Sequence, residues 1–442
     1  MLDAVRRNLD KVLFALGLML AIFAAGIAVG KFHLFPHDHI QAAVDAAQDW
    51  RENWRHHLGI RPNWVQSSER PGGVSRYDRA RAWSGHTFMN LFRDDGFRGV
   101  LIDMDGKVLH EWILPLDEIW RRAGFAKSPM PDLDAAPHGV AMLPWGDLII
   151  ALGGEALVRL DACGKVVWAL PLRAHHSVDV LANGEIWVPV TSARDRPDPD
   201  WPRLRPGPSG SFDDQLITRV SLDGEILEQI SLSDIIYDSD WMSLLFAGRG
   251  SDYSMAENDP YHLNDVEVLR PEIAAAFPQF SAGDFLVDPR NLQSILVVDG
   301  STKRIKWAMT GPFFGQHDPD FTANGTILMF DNRLTGGAPQ LGYSKVMEID
   351  PATRQVVWTH DGTDSDPLYS RLGGRVQRLP NGNTLVGEPQ GGRVFELAPD
   401  DSGTSTVVWQ YVNALEPGTV GMILDVERFP AVTAPWLGRA CS

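Results

Sequence analysis

Gly164-Lys165-Val166-Val167-Trp168 is a short strand pattern that the chain repeats. Arg304-Ile305-Lys306-Trp307, Gln355-Val356-Val357-Trp358 and Thr406-Val407-Val408-Trp409 carry the same alternation, and Asp105-Gly106-Lys107-Val108-Leu109-His110-Glu111-Trp112 is a longer first copy. Gly224-Glu225-Ile226-Leu227-Glu228 is a degenerate copy with Glu228 in the Trp slot. The slots fall at 112, 168, 228, 307, 358 and 409, at intervals of 56, 60, 79, 51 and 51 residues. Six units therefore share one period, with an insertion in the third interval.

Within most units an apolar strand runs into a turn and a second strand, as in Val180-Leu181-Ala182-Asn183-Gly184-Glu185-Ile186-Trp187 and Leu379-Pro380-Asn381-Gly382-Asn383-Thr384-Leu385-Val386. Asn-Gly supplies the positive φ of tight hairpins. Units of about fifty residues, built from short strands and carrying one aromatic each, describe propeller blades. The expected fold is all-β, a six-bladed β-propeller, with the Trp stripe packing blade against blade. A ring must close to hide its sheet edges. The unassigned His86–Leu91 and Met422–Arg428 segments are expected to share the closing blade.

Ahead of the repeats, Val12–Gly30 is a 19-residue run without charge. At 1.5 Å per residue it spans roughly 28 Å, close to the hydrocarbon thickness of a bilayer. Arg6, Arg7 and Lys11 precede it, so the positive-inside rule puts residues 1–11 in the cytoplasm and the rest outside. The run is longer than a signal-peptide core and has a poor cleavage site, which favours a retained anchor at the plasma (inner) membrane. The expected organisation is a tail over 1–11, a transmembrane anchor over 12–30, a partly helical stalk over 31–64 and a propeller over 65–442, periplasmic or extracellular. Loop insertions at 191–214 and 233–261, the second with a short helix, are expected to project from one face.

The sequence has 40 basic and 57 acidic residues, a net charge of −17, which argues against nucleic acid as a partner. Two cysteines, Cys163 and Cys441, exclude a disulfide framework and a Cys-based zinc site, and leave open one bond between them. No metal and no cofactor is expected.

The histidines follow the repeat. His138, His176 and His317 each stand eight residues before a turn glycine, at Gly146, Gly184 and Gly325, with His175 beside His176. His262-Leu263-Asn264-Asp265 precedes an equivalent strand, while the fifth unit has Gly374 followed by Arg375. That position begins the innermost strand, so the imidazoles are expected to converge on the channel. Several imidazoles in one cavity hold more hydrogen-bonding capacity than a dry structural site should leave unused.

These segments, with Gly283-Asp284-Phe285-Leu286, Gln316-His317-Asp318, Phe330-Asp331-Asn332-Arg333 and Val376–Thr384, resemble in their order the bacterial arylsulfotransferase family over residues 85–430. The resemblance implies a six-bladed propeller outside the cytoplasm. It also implies nucleotide-independent transfer of a sulfuryl group from an aryl sulfate donor to a phenolic acceptor through a sulfohistidine. On that basis His317, His176, His262 and Arg333 are candidate catalytic residues, and His138, His175, Asn264 and Arg375 candidate substrate-binding residues. Active members carry a further histidine late in the chain; here Gly373-Gly374-Arg375 fills the slot, and His360, the only later histidine, follows an outer strand. Sulfuryl transfer, like phosphoryl transfer, depends on positioning and on cationic donors around three peripheral oxygens. A neutral imidazole is a competent nucleophile near neutral pH. The alternative is a catalytically inactive propeller that binds an anionic ligand or partner protein at the cell envelope. A quinoprotein propeller is disfavoured because six units without a vicinal cysteine pair do not meet its pattern.

Overall fold

The computed structural model describes Leu9–Phe32, scattered positions between 34 and 50, and residues 62–442 apart from 94, 196–210, 245–258, 334–341, 401–403, 432–435 and 438–442. The expected stalk and the tips of both insertions thus lie largely outside the described residues. Contacts divide the chain into two units, residues 1–63 and residues 64–442.

In the first unit Leu9–Phe32 is one α-helix of 24 residues. Its Lys11–Phe32 stretch has a mean hydropathy of 2.7, so it is long and apolar enough to cross a membrane.

The second unit is a six-bladed propeller. Blade 1 joins the C-terminal strand Ile423–Phe429, innermost, to His86–Arg93, Gly96–Ile102 and Val108–Ile113. Ile423 pairs with Leu91 and Phe429 with His86, which is the closure expected from the sequence. Blades 2 to 5 are four-stranded meanders that begin at inner strands Pro137–Met142, Asp179–Val180, Leu263–Val268 and His317–Phe321. Blade 6 begins at Arg375–Arg378 and carries a fifth strand, Gly73–Tyr77, outside Ser405–Val412. A two-stranded clasp of Val65–Ser67 with Thr419–Gly421 adds a further tie.

Alternation along buried strands explains the ring. In Leu148–Leu152 of blade 2, Leu148, Ile150 and Leu152 pack with blade 1, whereas Ile149 and Ala151 pack with blade 3. Such a strand is apolar on both faces because both are covered. The aromatic slots fall on the fourth strands and lock neighbouring blades. Trp112, Trp168, Trp307 and Trp409 donate their indole N–H to Gly146, Leu222, Pro351 and Met104 carbonyls of the next blade, at 2.9–3.0 Å. Trp409 to Met104 joins blade 6 to blade 1. Glu228, which replaces the aromatic, instead pairs with Lys303 of blade 4 at 3.3 Å.

The insertions extend blade 3. Ile186–Asp195 and Ser211–Val220 pair over ten residues, and Leu232–Tyr237 forms a short helix capped by Ser231. Cys163 is disulfide-bonded, and the chain's other cysteine, Cys441, lies outside the described residues.

Candidate active site

The inner strands enter the channel through irregular backbone. His176 has φ 60° and His262 φ 46°, and Asp318, one residue beyond His317, has φ 55°. The inner strands of blades 4 and 5 also bulge at their entry. Left-handed backbone at a side chain with a Cβ costs on the order of 1 kcal/mol each. The scaffold imposes that cost in order to aim the rings. Gly139 permits the close approach, because a Cβ there would stand 1.9 Å from the His176 carbonyl oxygen.

Five imidazoles meet as a result. His176 is central, with ring centroids 4.8 Å from His262, 5.0 Å from His175, 5.5 Å from His138 and 6.0 Å from His317. His175 and His317 are buried, while His138, His176 and His262 keep part of their surface open. His176 Nδ1 lies 2.8 Å from His175 Nδ1, and its Nε2 lies 3.3 Å from His262 Nε2. Beyond the pair, His262 Nδ1 contacts the Asp259 carboxylate, and His175 Nε2 lies 2.8 Å from Gln215 Oε1. Gln215 Nε2 donates to Asp259 at 3.1 Å.

His317 is held separately. Its Nδ1 stands 3.1 Å from the Gly315 carbonyl and 2.7 Å from Asn332 Oδ1. The Asn332 amide is itself fixed, because its Nδ2 donates to the Ser370 and Gly373 carbonyls. Both neighbours of His317 Nδ1 are acceptors, so that nitrogen carries the proton and Nε2 carries the lone pair. Burial first, then the Arg290 charge, pushes His317 down to about 3, which keeps the ring neutral. Burial likewise lowers His138 to about 4 and His175 to about 3, and holds His176 well below its ordinary value. His262 is lowered by burial and Arg290 against the opposing pull of Asp259.

Of the candidates named from sequence, His138, His175, His176, His262 and His317 come together. Arg333 does not join them among the described contacts. Its backbone N–H donates to Asp331 at 3.1 Å, and its guanidinium lies beside Gly342. Arg290 is the guanidinium whose charge bears on His262 and His317; it is buried in a 3-10 turn and its backbone N–H donates to the His262 carbonyl. Asn264 ties blade 4 to blade 5 through the Gln316 carbonyl at 2.7 Å, and its Oδ1 is buried without a partner. Arg375 bridges Asp318, Asp425 and the His176 carbonyl. Arg290, Asn332, Asp259 and Gln215 are participants that the sequence reading did not single out. They stand outside the repeat register, so periodicity carries no signal for them.

The empty fifth slot has a steric cause. A Cβ on Gly374 would stand 2.4 Å from the Phe330 ring, so Phe330 blocks any side chain at that position. Gly374→Ala is expected to cost about 1–3 kcal/mol by overpacking, read from a urea melt.

Below the imidazoles the channel turns acidic. Asp265, Glu267 and Asp320 are pushed well above the usual carboxyl range by burial and then by neighbouring carboxylates, Asp318 for Asp265 and Asp320 and Asp179 for Glu267, and Asp425 is raised to about 6. Burial, then Asp425 and Asp179, raises Glu427 from 4.5 to about 8. A carboxyl raised on folding holds its proton more tightly in the native state, so stability falls as pH climbs from 4.5 through about 8. Glu427→Gln is expected to leave Tm unchanged at pH 4 and to raise it at pH 9. An equal Tm difference at both pH values would contradict this.

The sequence profile of the arylsulfotransferase (ASST) family matches residues 139–414. No curated protein matches the chain. Among solved structures, a protein of unknown function from Bacteroides caccae is similar at 12% identity and TM-score 0.48, over 78% of this chain and 99% of that one. The WD40 β-propeller domain of Doa1 is similar at 10% identity and TM-score 0.40, over 82% and 96%. A streptogramin B lyase is similar at 11% identity and TM-score 0.40, over 80% and 97%. With the profile running from the inner strand of blade 2 through blade 6, across well over half of its length, the chain belongs to the arylsulfotransferase family.

Proposed function

We propose that this protein is a nucleotide-independent aryl-sulfate sulfotransferase in which His317 Nε2 is the nucleophile. The observation that carries the reading is the pinned His317 tautomer. Two acceptors hold the Nδ1 proton, so the neutral ring presents its other lone pair beside His176 and within the field of Arg290. His317 Nε2 attacks the sulfur of an aryl sulfate, the bond from sulfur to the aryl oxygen breaks, and the phenolate departs. Asn332 Oδ1 and the Gly315 carbonyl then stabilise the charge on the sulfated ring through Nδ1–H. A phenolic acceptor gives up its proton and attacks from the opposite side, and the N–S bond breaks to return the lone pair to His317. Arg290 supplies a fixed cation for the sulfuryl oxygens.

The proposed location is the outer side of the plasma membrane, with residues 12–30 as anchor and residues 1–11 cytoplasmic. The N-terminal basic residues and the disulfide at Cys163, which needs an oxidising compartment, support it.

The test is transfer by the full chain in detergent from 4-nitrophenyl sulfate to phenol, without any nucleotide. Nitrophenolate release that depends on phenol supports the reading. Tight binding of aryl sulfate without release would favour a propeller that only binds sulfated ligands. The Phe330-filled fifth slot is the observation that keeps this second reading in play.

A further inference from the structure

Asp259, His262, His176, His175 and Gln215 close on themselves. The contacts run from Asp259 to His262, His262 to His176, His176 to His175, His175 to Gln215, and Gln215 back to Asp259, five in all. Each contact needs one proton between its two heavy atoms. Three neutral imidazoles supply one each and the Gln215 amide one more, while the ionised Asp259 supplies none. Four protons serve five contacts.

Only one arrangement of these four protons fits the two groups whose roles are fixed. Asp259 accepts, so His262 Nδ1 and Gln215 Nε2 donate to it, and Gln215 Oε1 accepts from His175 Nε2–H. His175 Nδ1 is then a lone pair and accepts from His176 Nδ1–H. The missing proton therefore falls between His176 Nε2 and His262 Nε2, where two lone pairs face each other. That contact, at 3.3 Å, is the longest of the imidazole contacts in the circuit. Its two rings are also among those that keep open surface.

We propose that this circuit is a single-proton carrier that takes up the proton of the acceptor phenol. It takes one proton between His176 and His262, and Asp259, Gln215 and His175 act as positioning residues that leave the gap there. One added proton converts a lone-pair clash into an N–H to N hydrogen bond and is balanced by the Asp259 carboxylate. A second proton finds no acceptor in the circuit. The inference rests on the sulfotransferase reading. When the donor's S–O bond breaks, the aryl oxygen leaves as the phenolate and the carrier stays empty. When the acceptor attacks, the phenol's proton passes to the empty carrier, which then gives it to the released phenolate or to solvent, so protons balance over one turnover. Groups facing the circuit from neighbouring elements are Arg290 toward His262, His138 toward His175 and His176, and His317 toward His176.

Isosteric variants at two positions test this with opposite signs. Asp259→Asn supplies a fifth proton and lets every contact form without protonation. His262 reverses its tautomer and the gap closes, so the variant is expected to fold. Single-turnover release from 4-nitrophenyl sulfate should survive, because nitrophenolate leaves without a proton. Steady-state transfer to phenol should fall about 100-fold or more. Gln215→Glu removes a further proton and adds an anion, so the acid limb of its pH profile should move up by about one pH unit. Asp259→Glu, which keeps the carboxylate, should restore the parental profile in part. Imidazole ¹⁵N spectra should show the His262 proton moved from Nδ1 to Nε2 in the Asn variant. An active parent whose Asn variant transfers sulfate at the parental rate, or whose His262 tautomer is unchanged, overturns the carrier. A parent with no nitrophenolate release at all overturns the sulfotransferase reading instead.

Discussion

Replacing His317 with alanine is expected to abolish sulfuryl transfer, a fall of roughly a thousandfold or more in kcat, with the protein still folded. The expectation follows from the hydrogen bonds that its ring makes. His176 has a histidine against each ring nitrogen, and His262 is tied to Asp259 on one side and His176 on the other. Among the described contacts, His317 alone of these three has its Nδ1 held by fixed acceptors and no ring nitrogen against its Nε2 lone pair. Its truncation removes the nucleophile and breaks none of the five contacts of the proton circuit. Asn332→Leu separates nucleophile from support. It keeps the ring, deletes the 2.7 Å acceptor and is expected to lower kcat about tenfold to a hundredfold while changing KM little. Stopped-flow release of nitrophenolate checks both. Retention of the burst in His317→Ala would place the nucleophile elsewhere in the cluster.

The largest stability effect is expected at Arg375, where alanine should cost about 3–5 kcal/mol. The guanidinium is enclosed at the axis, paired with Asp318 and with Asp425 at 3.1 Å, and donates to the His176 carbonyl at 3.0 Å. Burial alone would lower its pKa, but the carboxylates of Asp425 and Asp318 raise it. Removing it leaves two buried carboxylates facing each other and frees the backbone that holds His176 in its left-handed turn. Adding Asp425→Asn to Arg375→Ala should recover part of the loss, because the pair shares one interaction. Urea denaturation of the two variants, at a pH above the raised Asp425 value of about 6, gives the comparison. Equal stability of parent and Arg375→Ala would show that the carboxylates are discharged or solvated.

How much was legible before the structure depends on whether a feature repeats. The period of the Trp slots fixes the number of blades, and the two unassigned ends had to pair, as Ile423 with Leu91 and Phe429 with His86 now do. The phase of His138, His176 and His317 relative to the turn glycines, and the equivalent strand after His262, put them at one axial level because each blade is the same unit rotated. Features that occur once were invisible. The fifth strand Gly73–Tyr77 outside blade 6 and the Val65–Ser67 clasp belong to no repeat. Gln215 sits on the third strand of blade 3 and Asp259 at the end of the second insertion, and only the fold brings them together. Phe330 reads as an ordinary core residue, yet its ring explains why blade 6 opens with a glycine. Arg375, a candidate substrate-binding residue by resemblance, is absorbed by carboxylates, because inner-strand residues below the imidazoles are acidic.

The most direct measurement is to mix the full chain with 4-nitrophenyl sulfate without acceptor, quench in alkali, and locate the modified residue by peptide mass spectrometry. The expected result is one sulfuryl group per chain on His317, discharged when phenol is added before the quench. A sulfated histidine other than His317, or unmodified peptide from a chain that turns over, would contradict it.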